Sequence, residues 1–464
     1  MPQTKQHATG APRPRAVLVG VQLPGVTDEE HASSLAELGR LAKTLGFDVV
    51  DRITQKRQSL AAAAVIGEGK LKELARLTGG TGVVPSGVPA HRIRASEDDE
   101  SEPEADDEDE TADGETAAAP VTGPRAGVVL VDHDIAPSQA RNLERATDAE
   151  VLDRTAVILA IFQRHARSRE AVLQVEIARL TYMTPRLREG GGGRDRQAGG
   201  IGGKGAGESH LELDRRKVRD RIAELRRELA AIEKDAANRR RRRAAQPTVA
   251  IVGYTNAGKS SLMRALTGSD LLVADQLFAT LDTTVRALQP ETKPRILVSD
   301  TVGFIKKLPH DLVASFRSTL EEAREAALLL HVVDAADPAF PAQIEVTARV
   351  LAEIESAEAP RQLVFNKIDK LDEAQRCALA AEYPDALLLS AKSPTDVAAL
   401  HQHLVAFFER DMVEDELVVP YALQRVVSEI HASCRVLTEQ CDQSGTRLRV
   451  RGRPDVVARL RAAL

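Results

Sequence analysis

Between residues 248 and 266 the chain reads as a β-branched run, a glycine-bounded turn and a helical stretch, and this succession constrains the fold more than any other feature. Thr248 to Val252 has the composition of a buried parallel strand. It leads into Gly253-Tyr254-Thr255-Asn256-Ala257-Gly258-Lys259-Ser260, a complete G-x-x-x-x-G-K-S match, and then into helix-forming residues from Ser261 to Leu266. In such a strand–loop–helix unit the glycines let backbone N–H groups wrap a pair of phosphates, and the helix N-terminus adds a favourable field for the anion. Lys259 is placed to reach the β- and γ-phosphates and the Ser260 hydroxyl to ligate Mg²⁺, so an α/β fold with a parallel sheet and a nucleotide at one strand end is expected.

The downstream motifs follow the same logic. Ile296 to Ser299 is a second buried-strand run, ending in Asp300-Thr301-Val302-Gly303. Asp300 is placed to hold Mg²⁺, directly or through water, and the Gly303 amide to sense a γ-phosphate. Phe278-Ala279-Thr280-Leu281-Asp282 lies where a first switch loop belongs. Thr280 is the candidate hydroxyl for the metal, with Thr283 and Thr284 as rivals. The candidate catalytic groups are Lys259, Thr280 and Gly303; the candidate metal ligands are Ser260, Thr280 and Asp300.

Base choice comes from Asn366-Lys367-Ile368-Asp369, after the strand-like Gln362 to Phe365. The Asp369 carboxylate is suited to accept from guanine N1–H and the exocyclic amine; adenine offers no such pair and would leave it unsatisfied. Asn366 ties this segment to the phosphate loop. After the apolar Leu387 to Leu389 come Ser390, Ala391 and Lys392, with the Ala391 amide available to guanine O6. The set predicts GTP as nucleotide. Phe304 follows Gly303, where Ras-like switches carry the glutamine that orients water, and a phenyl ring cannot do that. Slow unaided hydrolysis is expected, with a group or a rearrangement supplied by a partner; the alternative is another residue of this chain that positions water in cis.

Charge needs to be read in segments. The net charge is −6, but thirteen acidic residues lie between Glu97 and Glu115, in a stretch without Lys or Arg from 95 to 124; the rest of the chain carries +7. Residues 95–124 are predicted to be a disordered acidic insertion. The basic remainder permits a polyanionic partner. No uncharged apolar run approaches the ~18 residues a membrane helix needs. The polar start shows no signal-peptide core, and Cys377, Cys434 and Cys441 have no metal-ligand spacing. Reduced structural thiols, a cytoplasmic location, no membrane partner and a monomeric chain are expected.

Residues 1–14 read as disordered, and 15–147 as a small α/β domain carrying the acidic insertion. Within it Arg15 to Val21, Phe47 to Ile53 and Gly127 to Val131 read as strands, with helices at Asp28 to Leu45 and around Leu71 to Leu77. Helical spacing is read from Asp148 to Met183. A second helix carries Val218, Ile222, Leu225, Leu229 and Ile232 at steps of four, three, four and three. These two are expected to form a long antiparallel hairpin over 148–245, closed by five arginines from Arg239 to Arg243. Its tip, 190–207, is glycine-rich and basic; Arg194, Arg196 and Lys204 are candidate RNA contacts. The P-loop domain is assigned to 246–411 and a small α+β C-terminal domain to 412–464, where Arg447, Arg449, Arg451 and Arg453 form either an RNA-facing or a merely solvated face.

With these motifs placed, the chain resembles the HflX family of translation-associated GTPases over nearly its whole length. The resemblance rests on Ile66-Gly67-Glu68-Gly69-Lys70, on Ser138 to Glu144, and on Leu152-Asp153-Arg154-Thr155. It rests further on Gln174-Val175-Glu176, Pro185-Arg186-Leu187, Gly199 to Gly202 with Gly207-Glu208, Phe278 to Asp282 and Asp300 to Ile305. Thr283, Ala206 and Ala160 depart from the family pattern. The resemblance implies binding to the large ribosomal subunit and its RNA, subunit-stimulated GTP hydrolysis, and splitting of stalled or idle ribosomes. The alternative is a GTP-gated RNA- or protein-binding module without a role in splitting.

Overall fold

The computed structural model describes residues 13–84, 125–187, 210–243, 246–268, 277–278, 284–307, 317–353, 359–443 and 445–464. The acidic insertion, the glycine-rich loop with Arg194, Arg196 and Lys204, and Ala279, Thr280 and Thr283 lie outside the described residues. The chain divides into two compact units, 1–157 and 158–464.

In the first unit, strands β1 (Arg15–Gln22), β2 (Asp48–Lys56), β3 (Val128–Val131) and β4 (Glu150–Asp153) form an all-parallel sheet in the order β2-β1-β3-β4. Helices α1 (Asp28–Leu45), α2 (Glu68–Thr78) and α3 (Pro137–Thr147) make the crossovers that parallel pairing requires. Thr27 caps α1 by accepting from the Glu30 N–H while Glu30 reaches back to the Thr27 N–H, and Gly46 ends the helix at φ +85°. β1 and β3 are buried on both faces, as a central parallel strand must be. At their C-terminal ends the buried Arg154 guanidinium pairs with Asp132 at 2.7 Å and with Glu37, and Ser34 donates to Asp132 at 2.5 Å.

The expectation of helix from Asp148 is corrected here. Residues 150–153 are strand β4, paired with β3 from Val128↔Glu150 to Val131↔Asp153. Val151 and Asp153 turn inward, and only at Arg154 does α4 (Arg154–His165) begin. Four residues are too few for a period-2 signal to stand out from the helical pattern that follows.

In the second unit α5 (Arg169–Met183), capped by Ser168, packs along α6 (His210–Arg243). Arg169 pairs with Glu228 and Arg221 with Glu176, so the two helices run antiparallel. Leu173, Ile177 and Leu225 form their buried seam, flanked by Leu180, Ile222, Leu229 and Ile232.

Six strands follow: β5 (Thr248–Gly253), β6 (Thr284–Ala287), β7 (Leu297–Asp300), β8 (Leu328–Asp334), β9 (Arg361–Asn366) and β10 (Leu387–Leu388). Their order is β10-β9-β8-β5-β7-β6, parallel except for the edge strand β6. β5 lies between β8 and β7, so chain order reverses beside it, and its C-terminal end opens at the switch point where doubly wound sheets bind ligands. Helix α7 (Lys259–Thr267) starts there. The rival metal ligand Thr284 sits in β6, opposite Asp300.

The C-terminal strands β11 (Val413–Val419), β12 (Arg435–Asp442) and β13 (Gly445–Gly452) form an antiparallel sheet in the order β11-β13-β12. Leu417, Val419, Leu448 and Val450 pack with Ile430, Cys434 and Leu460 from helices Gln424–Ser433 and Pro454–Ala462. The arginines of this region are paired: Arg447 with Glu416, Arg449 with Glu414, Arg451 with Glu409 and Arg453 with Asp455. Each of these arginines therefore carries a local counter-charge at the surface. Cys434 is a buried core thiol, whereas Cys377 and Cys441 are exposed; all three are free. Among the described residues no helix is long and apolar enough to cross a membrane.

Candidate functional site

The loop from Gly253 to Ser260 joins the buried end of β5 to the first turn of α7. Gly258 sits at φ +92°, and a Cβ there would run into Asn366 Nδ2. Asn256 reaches the left-handed region at φ +62° without being glycine, a conformation that costs energy unless its surroundings enforce it.

Lys259 is 6% exposed and turns back over the loop, its Nζ donating to Gly253 O at 3.1 Å and Tyr254 O at 2.9 Å. Burial pushes its pKa down to about 8, against a partial counter-effect of Asp300. Ser260 Oγ donates to Asp300 Oδ2 at 2.8 Å, and Asp300 is 1% exposed at the end of β7. A hydroxyl and a carboxylate converging next to a buried ammonium and a helix N-terminus form a hard-oxygen donor set beside an anion cradle, which fits Mg²⁺ accompanied by phosphate. Ser261 follows in the first turn of α7.

Beyond β7, the 301–306 segment lies along the phosphate loop. Phe304 N donates to Gly253 O at 3.1 Å, and Thr255 N donates to Phe304 O at 2.8 Å. Lys306 N donates to the phenol oxygen of Tyr254 at 2.7 Å. Gly303 is packed so closely on Thr255 and Lys259 that a Cβ would meet both. Phe304 is 2% exposed, its ring in the interior. Phe278 is also buried, at φ +59°, its ring edge-on to Phe162 of α4 with centroids 4.6 Å apart.

At the end of β9, Asn366 Nδ2 donates to Ala257 O at 2.9 Å, while its Oδ1 accepts from Lys367 N at 2.8 Å and Ala391 N at 3.0 Å. The Ala391 amide therefore serves Asn366 here and would have to share or exchange that bond to meet guanine O6. Asp369 Oδ1 accepts from Ser390 Oγ at 2.7 Å, and this bond foremost holds the carboxyl below its ordinary pKa. Lys392 lies 4.0 Å from Asp369 Oδ2 and is largely exposed. Lys367, at φ +66°, extends its ammonium to Asn256 O and to Asp334, each at 2.6 Å.

The structure thus gathers Gly253 to Ser260, Asp300, Gly303, Asn366, Lys367, Asp369, Ser390 and Ala391 at one end of the sheet. Sequence reasoning missed Asp334, the Tyr254–Lys306 bond and the Phe162–Phe278 contact. Asp334 carried a signal, as the carboxylate that closes the apolar run of β8; the other two depend on packing alone.

Three family models match the chain: "GTP-binding GTPase N-terminal" over residues 32–84 and 114–163, "GTP-binding GTPase Middle Region" over 165–243, and "50S ribosome-binding GTPase" over 248–367. A GTPase HflX of Gluconacetobacter diazotrophicus is 59% identical over 460 residues, covering 98% of this chain and 99% of that protein. The GTPase HflX of Escherichia coli K12 is 36% identical over 436 residues, covering 93% and 92%. Among solved structures, a GTP-binding protein from Sulfolobus solfataricus in complex with GDP is similar at 22% identity and a TM-score of 0.42, covering 84% of this chain and 97% of that one.

Proposed function

The chain belongs to the HflX family of GTPases and hydrolyses GTP, and from that premise we propose that it is a ribosome-associated switch that binds the large subunit in its GTP state and splits stalled or idle ribosomes. The observation that carries this reading is Phe304. It stands where a water-orienting side chain is needed, yet it is buried. A switch complete in its binding groups but lacking that group is suited to fire only on a partner. The description of the G-domain family as 50S ribosome-binding supports the large subunit as that partner.

In this mechanism the loop amides and Lys259 bind and neutralise the β- and γ-phosphates, and Ser260, Asp300 and Thr280 would hold Mg²⁺. Held there, Mg²⁺ would supply neutralisation of phosphate charge. The Gly303 amide turns toward the γ-phosphate as the 301–306 segment leaves the loop. Asp369 reads the Watson–Crick edge of guanine while Asn366 fixes base and phosphate segments together. Arg194, Arg196 and Lys204 are assigned to subunit RNA.

The test is GTP turnover by the purified protein with and without large subunits at matched salt. Slow basal turnover and a large rise with subunits is the expected result. No rise, with GTP binding confirmed in the same sample, would overturn the ribosomal half and favour a GTP-gated module for another RNA or protein.

A further inference from the structure

We propose that Asp334 is a positioning residue for guanine recognition, acting through Lys367 to keep that ammonium on the base side of the site. The inference rests on the assignment of Asn366, Lys367 and Asp369 to guanine.

Asp334 is the last residue of β8 and lies opposite Asn366 in the ladder with β9. Its Oδ1 accepts from Ala336 N at 3.1 Å, and Ala335 N donates to Asn366 O at 3.0 Å, so the turn after β8 fixes the carboxylate against the base-binding segment. Its Oδ2 takes the Lys367 ammonium at 2.6 Å, with the two side chains only 16% and 19% exposed. The same ammonium donates to Asn256 O in the phosphate loop at 2.6 Å. One cation therefore links two left-handed non-glycine residues, Lys367 itself and Asn256.

Electrostatics gives this arrangement a purpose. A lysine is a point charge on a flexible stem, and a nucleotide brings several negative charges into its reach. Unpaired, Lys367 would be drawn toward the phosphates beside Lys259 and would favour any nucleotide, whatever its base. Paired with Asp334 it is neutralised and oriented, so the 366–369 turn keeps its strained shape and Asp369 stays in place for the base. Asp334 touches no nucleotide atom in this account; it acts on selectivity.

The experiment measures binding of GDP, inosine diphosphate (which lacks the exocyclic 2-amine), ADP and inorganic pyrophosphate to the full chain and to Asp334→Asn, Asp334→Glu and Asp369→Asn. Unfolding midpoints are taken alongside. Asp334→Asn is expected to weaken GDP about tenfold, the loss of a charge-assisted bond, and to narrow the preference for GDP over inosine diphosphate and ADP. Pyrophosphate affinity should hold or rise. Asp334→Glu, which keeps the charge, should recover part of the selectivity. Equal loss of GDP and pyrophosphate, with a lowered midpoint, would mean a merely structural role and overturn the proposal. Wild-type selectivity in Asp334→Asn, while Asp369→Asn loses it, would overturn this inference alone. If the wild-type chain itself showed no preference for guanine, the underlying site assignment would fall with it.

Discussion

The phenol oxygen of Tyr254, in the phosphate loop, accepts the backbone N–H of Lys306 at 2.7 Å and so ties the loop to the segment that carries Gly303. Removing the hydroxyl in Tyr254→Phe deletes a bond worth about 0.5–1.5 kcal/mol while keeping the buried ring. Hydrogen exchange at the Lys306 amide should quicken about two- to tenfold in the nucleotide-free protein. Unchanged exchange would mean the neighbouring backbone bonds alone hold the segment.

Lys259 gives a pH dependence with two opposite signs. Its pKa falls from 10.5 to about 8 by burial, so an unfolded chain holds more protons than the folded one between those values. Its contribution to the stability of the empty protein therefore rises with pH across that window. On the proposed assignment of Lys259 to the β- and γ-phosphates, GTP binding draws on the cation, so affinity should fall above pH 8, by up to about tenfold per unit. Titration from pH 7 to 9.5 checks this, with Lys259→Arg as comparator: whatever its affinity, its curve should be flatter there.

His331, buried in β8, is pushed down to about 4 by burial first and then by Arg361 and Lys259. The unfolded chain takes up this proton near 6.5, so the group costs stability progressively as pH falls from there toward 4, at up to about 1.4 kcal/mol per unit. Urea unfolding at pH 7 and pH 5 should show a smaller acid-side loss in His331→Leu than in wild type. Parallel losses would remove His331 as the cause.

In the first unit, Arg154→Ala leaves Glu37 and Asp132 as two buried carboxylates without their shared cation. The expected cost is about 3–5 kcal/mol. A shift of that unit's unfolding transition should report it, and a shift equal to that of an exposed pair such as Lys70–Glu73 would contradict the assignment.

What the sequence disclosed and what it hid follow from the range of the interactions. The phosphate loop, Asp300 and the Asn366–Asp369 segment are legible because each is a short motif at the end of an apolar strand run, and both signals are local. β4 was hidden because its strand character comes from pairing with β3, not from its own four residues. Asp334 meets Lys367 across 33 positions, and Phe162 meets Phe278 through tertiary packing. The zipper between 301–306 and the phosphate loop is likewise a matter of register between β7 and β5.

The contact of Asn366 with both Ala257 O and the surface of Gly258 has a consequence for ligand size. On the proposed assignment of these segments to phosphate and base, the two grips are bolted to each other and cannot slide apart independently. The protein thereby measures the span between them like a gauge with fixed jaws. A nucleotide of the right base but the wrong reach, with its sugar–phosphate link lengthened by one atom, would engage one jaw and miss the other.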